Sequence, residues 1–580
     1  MILQALYDYY DRCGDLMPPF QMALVSFKYA ILIDEEGTYK GIEALGDDDG
    51  ITILTYRPEE RTSAPVAHCL GDNGSYVLGL KDVKAGKPFD IAAELHKNKK
   101  NHASFIEDVD KLYHSLPSNK YVKAIHLFYE KYDVRIIEKM CEDVNWDGLC
   151  KSLNKNITFR IVGNSVLAAS DAEVLQFKIK NIVNNNHPLV CLVTGQRSNP
   201  VSTTYSTFVV GGKSNAKLVS FQVNSGYDSY GKKMGLNAPI SEEAEFKYTT
   251  ALLSLLSKQS RNKFMIGSRT FVFWASKAND VGSQAENCIY RMFGFQESED
   301  DPNRGVEEVR QVFTAIHSGR IKSSLDDKFY ILGLAPNAAR IAVSYWAEIP
   351  LKEFAGLILR HFNDMEIIDT RKDKKPYLSL RSILSAVTLG GKSSDAIPNL
   401  PEAVIKSIMQ GTPYPYTLFA ACIRRIRAEM DKDIYISRAS ILKGYLNRIK
   451  DNNTKLNVML DKNNQNIGYL CGRLFATLVK IQEDANGINT IKERYMNAAS
   501  STPATVFATV LNLSVHHSEK LNDKKKKVFF EKLEQEIIDK MPAEAFPTHL
   551  DLNDQGRFFV GYYHQRQDFF SSNSNNEQDQ

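Results

Sequence analysis

The stretch Phe329-Tyr-Ile-Leu-Gly-Leu-Ala-Pro-Asn-Ala-Ala-Arg-Ile-Ala-Val-Ser-Tyr-Trp346 sets two apolar runs, each the length of a strand, on either side of Pro336-Asn337. Proline fixes φ on one side of that pair and asparagine tolerates unusual backbone angles on the other, so the string predicts a buried strand–turn–strand. Upstream, the pattern favours strands to about residue 80: an apolar run at Tyr29-Ala-Ile-Leu-Ile-Asp34, a turn at Asp34-Glu-Glu-Gly37, and a strand from Tyr76 to Leu80. Helical periodicity takes over from about Asp90 to Leu153, broken near Pro117-Ser-Asn. Strands then return at Phe159-Arg-Ile-Val162, Leu189-Val-Cys-Leu-Val193, Leu218 to Val223 and Thr270 to Trp274. Pro239 and Ser241 introduce a helix between the last two, with Glu242 and Glu243 in the first turn, where the helix dipole favours anions.

Downstream of the hairpin the chain reads as mainly helical. Ile441, Leu442, Tyr445, Leu446 and Ile449 share one stripe, and Ile467, Leu470, Cys471, Leu474, Phe475, Leu478 and Ile481 share another with steps of three and four. Thr502-Pro503 has the form of an N-cap and first helical residue ahead of Val506, Phe507, Val510 and Leu511. Phe529, Leu533 and Ile537, then Phe558, Phe559, Tyr562 and Tyr563, complete a helical bundle. The fold class is thus α+β: a mixed α/β region over 1–295, a mainly helical middle with the hairpin over 306–435, a C-terminal bundle over 440–568, and a low-complexity, disordered tail over 571–580. The acidic, Pro- and Gly-broken run Gln296-Glu-Ser-Glu-Asp-Asp-Pro-Asn-Arg-Gly305 serves as the internal linker.

With 580 residues, 43% of them hydrophobic, the chain can bury more than one core. A formal net charge of +3 does not by itself announce a nucleic-acid binder. Local clusters would have to carry that role, such as Lys97-Asn-Lys-Lys100, Arg371-Lys-Asp-Lys-Lys375 and Lys524-Lys-Lys-Lys527, and each is equally what a solvated face looks like. The eight cysteines show no Cys-x-x-Cys pair, which fits free thiols in a reducing, cytoplasmic setting. Neither a secretory signal nor a membrane-length apolar run is present, so no membrane partner is expected.

Two strings imitate a phosphate-binding loop, Gly211-Gly-Lys-Ser214 and Gly390-Gly-Lys-Ser393. Where the loop needs its first glycine they carry Thr207 and Ala386, so no nucleotide cofactor follows. The histidines give no His-Glu-x-x-His, and His516-His517 reads as an ordinary helical pair rather than a ligand set. A Gly-x-Ser-x-Gly elbow is missing as well. The residues therefore suggest a binding protein with no catalytic or metal site. Side chains suited to base edges and phosphates stand in the polar turns of the first half: Arg61, Thr62 and Asn73 beside Gly71 and Gly74; Gln196 and Arg197; Lys213; and Asn224 and Ser225. Ordinary polar turns would look the same.

The hairpin string, with Asn337 and Arg340 at fixed offsets from its turn, resembles a signature of the large subunit of the type I-C CRISPR Cascade, an RNA-guided DNA-surveillance complex. The opening Met1-Ile-Leu-Gln-Ala-Leu-Tyr-Asp-Tyr-Tyr10 is similar to that family's first helix. Further blocks follow in order: Arg61-Thr-Ser63 with Asp72-Asn73 and Tyr76-Val-Leu-Gly79, Val193-Thr-Gly-Gln-Arg197, Leu218-Val-Ser-Phe221, Ser229-Tyr-Gly231, Asn237-Ala-Pro-Ile-Ser-Glu-Glu243, Phe271-Val-Phe-Trp274 and Gly561-Tyr-Tyr-His-Gln-Arg566. Where the family usually carries His-Pro after the Arg197 block, this chain has Thr203-Thr-Tyr205.

The resemblance implies a non-enzymatic subunit that binds the short motif flanking a target in double-stranded DNA (PAM recognition) and supports guide-RNA-directed strand opening in antiviral defence. It also implies partners: the guide RNA (crRNA), the repeated backbone subunit, the guide-capping subunit, a small subunit made by internal translation, and a helicase–nuclease. Met430 and Met459 are candidate internal starts, with Met459 ahead because it keeps the four later stripes. A nuclease or guide-RNA processing enzyme of the same system, or an α/β scaffold without nucleic acid, are the alternative readings.

Overall fold

The computed structural model describes residues 2–61, 64–181, 188–221, 228–266, 268–293, 306–321, 327–370, 378–429, 434–449, 455–543 and 545–576. The linker read at 296–305, the cluster 371–375 and Met430 lie outside them. The chain divides into two compact units, Met1–Ser257 with Asn337–Ile341, and Lys258–Pro336 with Ala342–Gln580. The division falls at Ser257/Lys258 rather than near residue 295, and the sections expected as a separate middle and bundle share one apolar core running from Phe264 to Phe569. Contacts between distant segments set that boundary, and composition does not report them.

In the first unit, β1 (Met22–Ile33) is the central strand. Its outer half pairs antiparallel with β2 (Tyr39–Ala44) and its inner half with β3 (Ile51–Tyr56), while its other edge runs parallel to β5 (Asn156–Ile161), which in turn pairs with β4 (Gly71–Asn73). A register shift between Phe27 and Tyr29 switches which residues face which side. Tyr29, Ile31 and Ile33 thereby join Ile157, Phe159 and Ile161 under helices Lys99–Ser115 and Lys120–Lys131, whereas Phe27 packs with Leu45, Leu167 and Ala169. The strand expected from Tyr76 to Leu80 is instead a helical turn, Gly74–Val77. Asn73 caps it, and Gly79, at φ +68°, supplies a left-handed residue just beyond its end.

The second unit holds a four-stranded sheet, β8 (Lys263–Ile266), β9 (Arg269–Ala275), β10 (Lys328–Asn337) and β11 (Arg340–Pro350), in the order β11-β10-β9-β8. The expected hairpin is present, but its turn is centred on Ala338-Ala339 with Ala338 at φ +52°, two residues later than the Pro336-Asn337 reading, because β10 stays extended through the proline. Phe329 and Ile331 face the core with Phe271, Phe273 and Tyr345; on the opposite face Tyr330 stacks on Trp346, with Trp274 tilted against both.

The predicted helical stripes become helices Ile436–Arg448, Ile467–Asn486, Phe507–Glu519, Lys524–Ile538 and Leu552–Asn576. Pro503 starts a short 3-10 turn, with no cap from the Thr502 side chain, ahead of Phe507–Glu519. The last helix continues through Asn576, into the segment read as a disordered tail. No helix among the described residues is long and apolar enough to cross a membrane.

Two histidines are built into this core without charge. His361 is fully buried, its Nδ1 2.7 Å from the Tyr414 hydroxyl, and burial, with Arg448 nearby, pushes its pKa down to about 3. His564 lies 2.9 Å from the Tyr469 hydroxyl and is likewise depressed to about 3 by burial, with Lys443 adding to it. The unfolded chain takes up these protons near pH 6.5, so folded-state stability is full above that pH and is lost progressively between pH 6.5 and pH 3. By pH 5 the loss is about 2 kcal/mol per histidine. Thermal melts followed by circular dichroism should show the midpoint falling steeply below pH 6.5, and a flat profile from pH 7 to pH 5 would contradict the placement.

Candidate nucleic-acid interface

The first unit carries a layer of loops, residues 188–221 and 228–241, pinned against the start of helix Glu242–Leu256. Ser241 caps that helix, its Oγ accepting from the Ala244 N–H at 3.2 Å, as the sequence pattern predicts. Leu192 and Val201 donate backbone hydrogen bonds to Pro239 and Ile240, and the Ser241 N–H donates to the Cys191 sulfur at 3.2 Å. That bond and those from Thr194 outweigh burial and bring the Cys191 thiol down to about 7. The strand expected over Leu189 to Val193 is confined to β6 (Leu189–Val190), which pairs with β7 (Arg197–Ser198). Gly195, at φ +73°, turns the chain between them. Among the described residues of the expected strand from Leu218 to Val223 there is no strand; Lys217 makes only an isolated bridge to Arg340.

Beneath the layer sits a buried ion pair. Arg57 and Glu245 meet at 2.8 and 3.3 Å, Arg57 also donates to the Thr249 hydroxyl at 2.8 Å, and the guanidinium lies 3.9 Å from the Tyr205 ring centroid. The Tyr205 N–H donates to Glu245 at 2.8 Å, which ties the loop to the pair. Tyr205 ends the Thr203-Thr-Tyr205 string. Glu60 accepts from the Ser206 N–H and hydroxyl and pairs with Lys217 at 3.3 Å. A cleft of about 290 Å³ opens here, lined by Tyr56, Arg57, Glu59, Glu60, Glu242 and Glu245 among others. Burial raises the Glu242 carboxyl, and the neighbouring Glu245 raises it further. Four carboxyl groups against one paired arginine make the cleft a poor host for phosphate, so any polyanion must meet the turns around it.

The eight predicted residues separate on this frame. Arg61 turns inward: its Nε donates to the Val66 carbonyl at 2.8 Å, its Nη2 pairs with the fully buried Asp72, and its guanidinium lies 3.9 Å from the Tyr76 ring centroid. Asp72 also accepts from the His68 and Asn73 N–H groups. The Asn73 side-chain oxygen is occupied by Ser75, accepting from its N–H at 3.1 Å and its hydroxyl at 2.7 Å. Both therefore hold their own loop together. Gln196 and Arg197 are exposed at the β6–β7 turn, and Lys213 is exposed on a turn whose backbone reaches the Ala338 carbonyl, within the same unit. Thr62, Asn224 and Ser225 lie outside the described residues.

The two glycine-lysine-serine strings form short turns rather than a strand–loop–helix cradle: Gly211 at φ +81°, and Gly390 and Gly391 at φ +75° and +72°. Lys97 is paired with Asp82 and Glu94. Lys524 to Lys527 occupy the first turn of helix Lys524–Ile538, at the positive end of its dipole, where cations are disfavoured and a polyanion would relieve them. His516 and His517 lie on helix Phe507–Glu519, as expected. Among the described residues no group of three His, Cys, Asp or Glu is placed to hold a metal ion.

What sequence reasoning missed is the ring of Tyr230, 98% exposed at the tip of Ser229–Lys232 with φ +53°. The signal was an aromatic before glycine and two lysines, Tyr230-Gly-Lys-Lys233. No curated protein matches the sequence. The sequence model of a CRISPR-associated protein family, Cas_Csd1, matches residues 6–570, almost the entire chain, and so the protein belongs to that family of CRISPR-associated proteins.

Proposed function

We propose that this chain is the large subunit of a type I-C-like Cascade and binds the short motif flanking a target in double-stranded DNA. Guide RNA reads the remainder by base pairing, which is how RNA-guided effectors keep the protein's own reading short. The observation that carries the reading is the pair of braced turns presenting Gln196, Arg197 and Lys213 outward from the loop layer of a CRISPR-associated protein. Gln and Arg offer hydrogen-bond geometry suited to base edges, and Lys neutralises phosphate. The subunit acts by binding and not by catalysis. Its partners are guide RNA, the repeated backbone subunit, the guide-capping subunit, a small subunit translated from an internal start near Met459, and a recruited helicase–nuclease, all in the cytoplasm. The lysine turn at 524–527 suits the displaced strand.

In assembled complex, Arg197→Ala should weaken binding to a matched target by roughly 5- to 150-fold if it reads a base, that is about 1–3 kcal/mol, and should flatten the preference at one flanking position. Lys213→Ala should weaken all flanks alike and lower the salt slope by about one. Guide loading should stay at the parental level in both. Parental target affinity in both variants would remove these turns from the interface.

A further inference from the structure

The turn Ser229–Lys232 displays a side chain that packs on none of the described residues. The Lys232 N–H donates to the Ser229 carbonyl at 2.9 Å, and Tyr230 and Gly231 both have positive φ, +53° and +72°, the signature of a type I′ turn. Glycine and asparagine suit its first central position; a tyrosine there is strained. The ring gains no packing in return, being 98% exposed.

The base of the turn is nevertheless fixed. The Asn237 Nδ2 donates to the Lys232 carbonyl at 2.8 Å, the Ser229 hydroxyl lies 3.2 Å from the Asn237 Oδ1, and the Met234 N–H donates to Asp228 at 3.1 Å. At Gly235 the backbone comes so close that a Cβ would stand 2.3 Å from the Val201 carbonyl oxygen. A strained, braced turn holding a bare aromatic ring, with exposed Lys232 and Lys233 on its flank, combines the two parts of a single-strand binding surface: a flat face for stacking and cations for phosphate.

We propose that Tyr230 stacks on an unpaired base of the target DNA beside the flanking motif, while Lys232 and Lys233 hold the adjoining phosphates. This rests on the flank-reading function above and names the residue that would keep the first opened base from re-pairing. The backbone at Tyr230 holds a strained conformation while its ring stays exposed to whatever docks there.

The test uses the assembled, guide-loaded complex and a matched duplex with a fluorescent adenine analogue at the first target position. Tyr230→Gly removes the ring while relaxing the backbone, so it folds at least as well as the parent. Tyr230→Phe keeps the ring. Tyr230→Gly should lower target affinity and the opening signal by roughly 5- to 150-fold, as expected for one base–aromatic stack, with Tyr230→Phe at the parental level and guide loading unchanged in both. Lys232→Ala with Lys233→Ala should lower the salt slope by about two.

Tyr230→Gly behaving as the parent overturns the proposal. So does a loss of subunit assembly in place of a loss of DNA binding, which would assign the tip to a protein partner. Should the parent complex itself show no affinity for flanked duplex, the function reading fails. The stacking claim is then decided on a single-stranded oligonucleotide with the full chain, where a loss in Tyr230→Gly sustains it and no change ends it.

Discussion

Glu245→Ala should destabilise the first unit by about 3–5 kcal/mol, since it strands the buried Arg57 guanidinium without its counter-charge. Glu245 is 5% exposed and Arg57 8%, so water cannot take over the lost partner. The same change removes the acceptor for the Tyr205 N–H and lets the 203–206 segment lift from the frame that positions Lys217 and the turns beyond it. Denaturant unfolding should show the stability loss, and flanked-duplex binding by the assembled complex should fall with it. Replacing the pair together, Arg57→Met with Glu245→Leu, should recover most of the stability, because apolar side chains avoid the desolvation that an unpaired charge suffers. A Glu245→Ala protein within 1 kcal/mol of the parent by denaturant unfolding would mean the pair is solvated and does not hold the layer.

Gly472→Ala should cost the second unit about 3 kcal/mol, at the upper end for overpacking, despite alanine being the better helix former. Helices Ile467–Asn486 and Leu552–Asn576 approach through glycine. A Cβ at Gly472 would lie 2.0 Å from the Phe558 carbonyl oxygen, one at Gly468 would lie 2.4 Å from that of Asp554, and one at Gly561 would lie 2.3 Å from that of Tyr469. These are backbone atoms and cannot rotate aside, so the helices must part. Parting them would disturb the Tyr469–His564 and Arg473–Gln565 hydrogen bonds, at 2.9 and 3.0 Å. Gly444→Ala is the control: its nearest neighbours are the Sδ and Cε of Met365 at 3.1 Å, the flexible end of a side chain, and the change should be close to neutral or stabilising. Melting temperatures of the two variants should therefore separate clearly. Equal stability for both would show that the helix pair has slack the geometry denies.

The long elements were legible because their apolar pattern and their ends agree. Ser241 with Glu242 and Glu243 marked a helix that forms as expected, and the stripe from Ile467 to Ile481 became the helix that carries Gly468 and Gly472. Short apolar runs misled. Tyr76 to Leu80 looked like a strand, but the cap at Asn73 and the left-handed Gly79 close a helical turn around it. Leu189 to Val193 yields two residues of strand, because Cys191 and Gly195 turn the chain.

The candidate interface was half legible for a related reason. Composition announces Arg61 and Asn73 as polar loop residues, yet whether such side chains face solvent or their own loop depends on a buried partner, Asp72 for one and Ser75 for the other. Gln196, Arg197 and Lys213 do stand exposed, and the backbone strain at Tyr230 is invisible in its sequence.

The most direct measurement of the account is mobility shift of the assembled, guide-loaded complex on a matched duplex whose flanking bases are randomised, with sequencing of the bound fraction. The account predicts enrichment at a few positions beside the target, and loss of that enrichment when Gln196, Arg197 and Lys213 are replaced together by alanine, with guide loading intact. Bound DNA with no flank preference, or a preference unchanged in the triple variant, would contradict it.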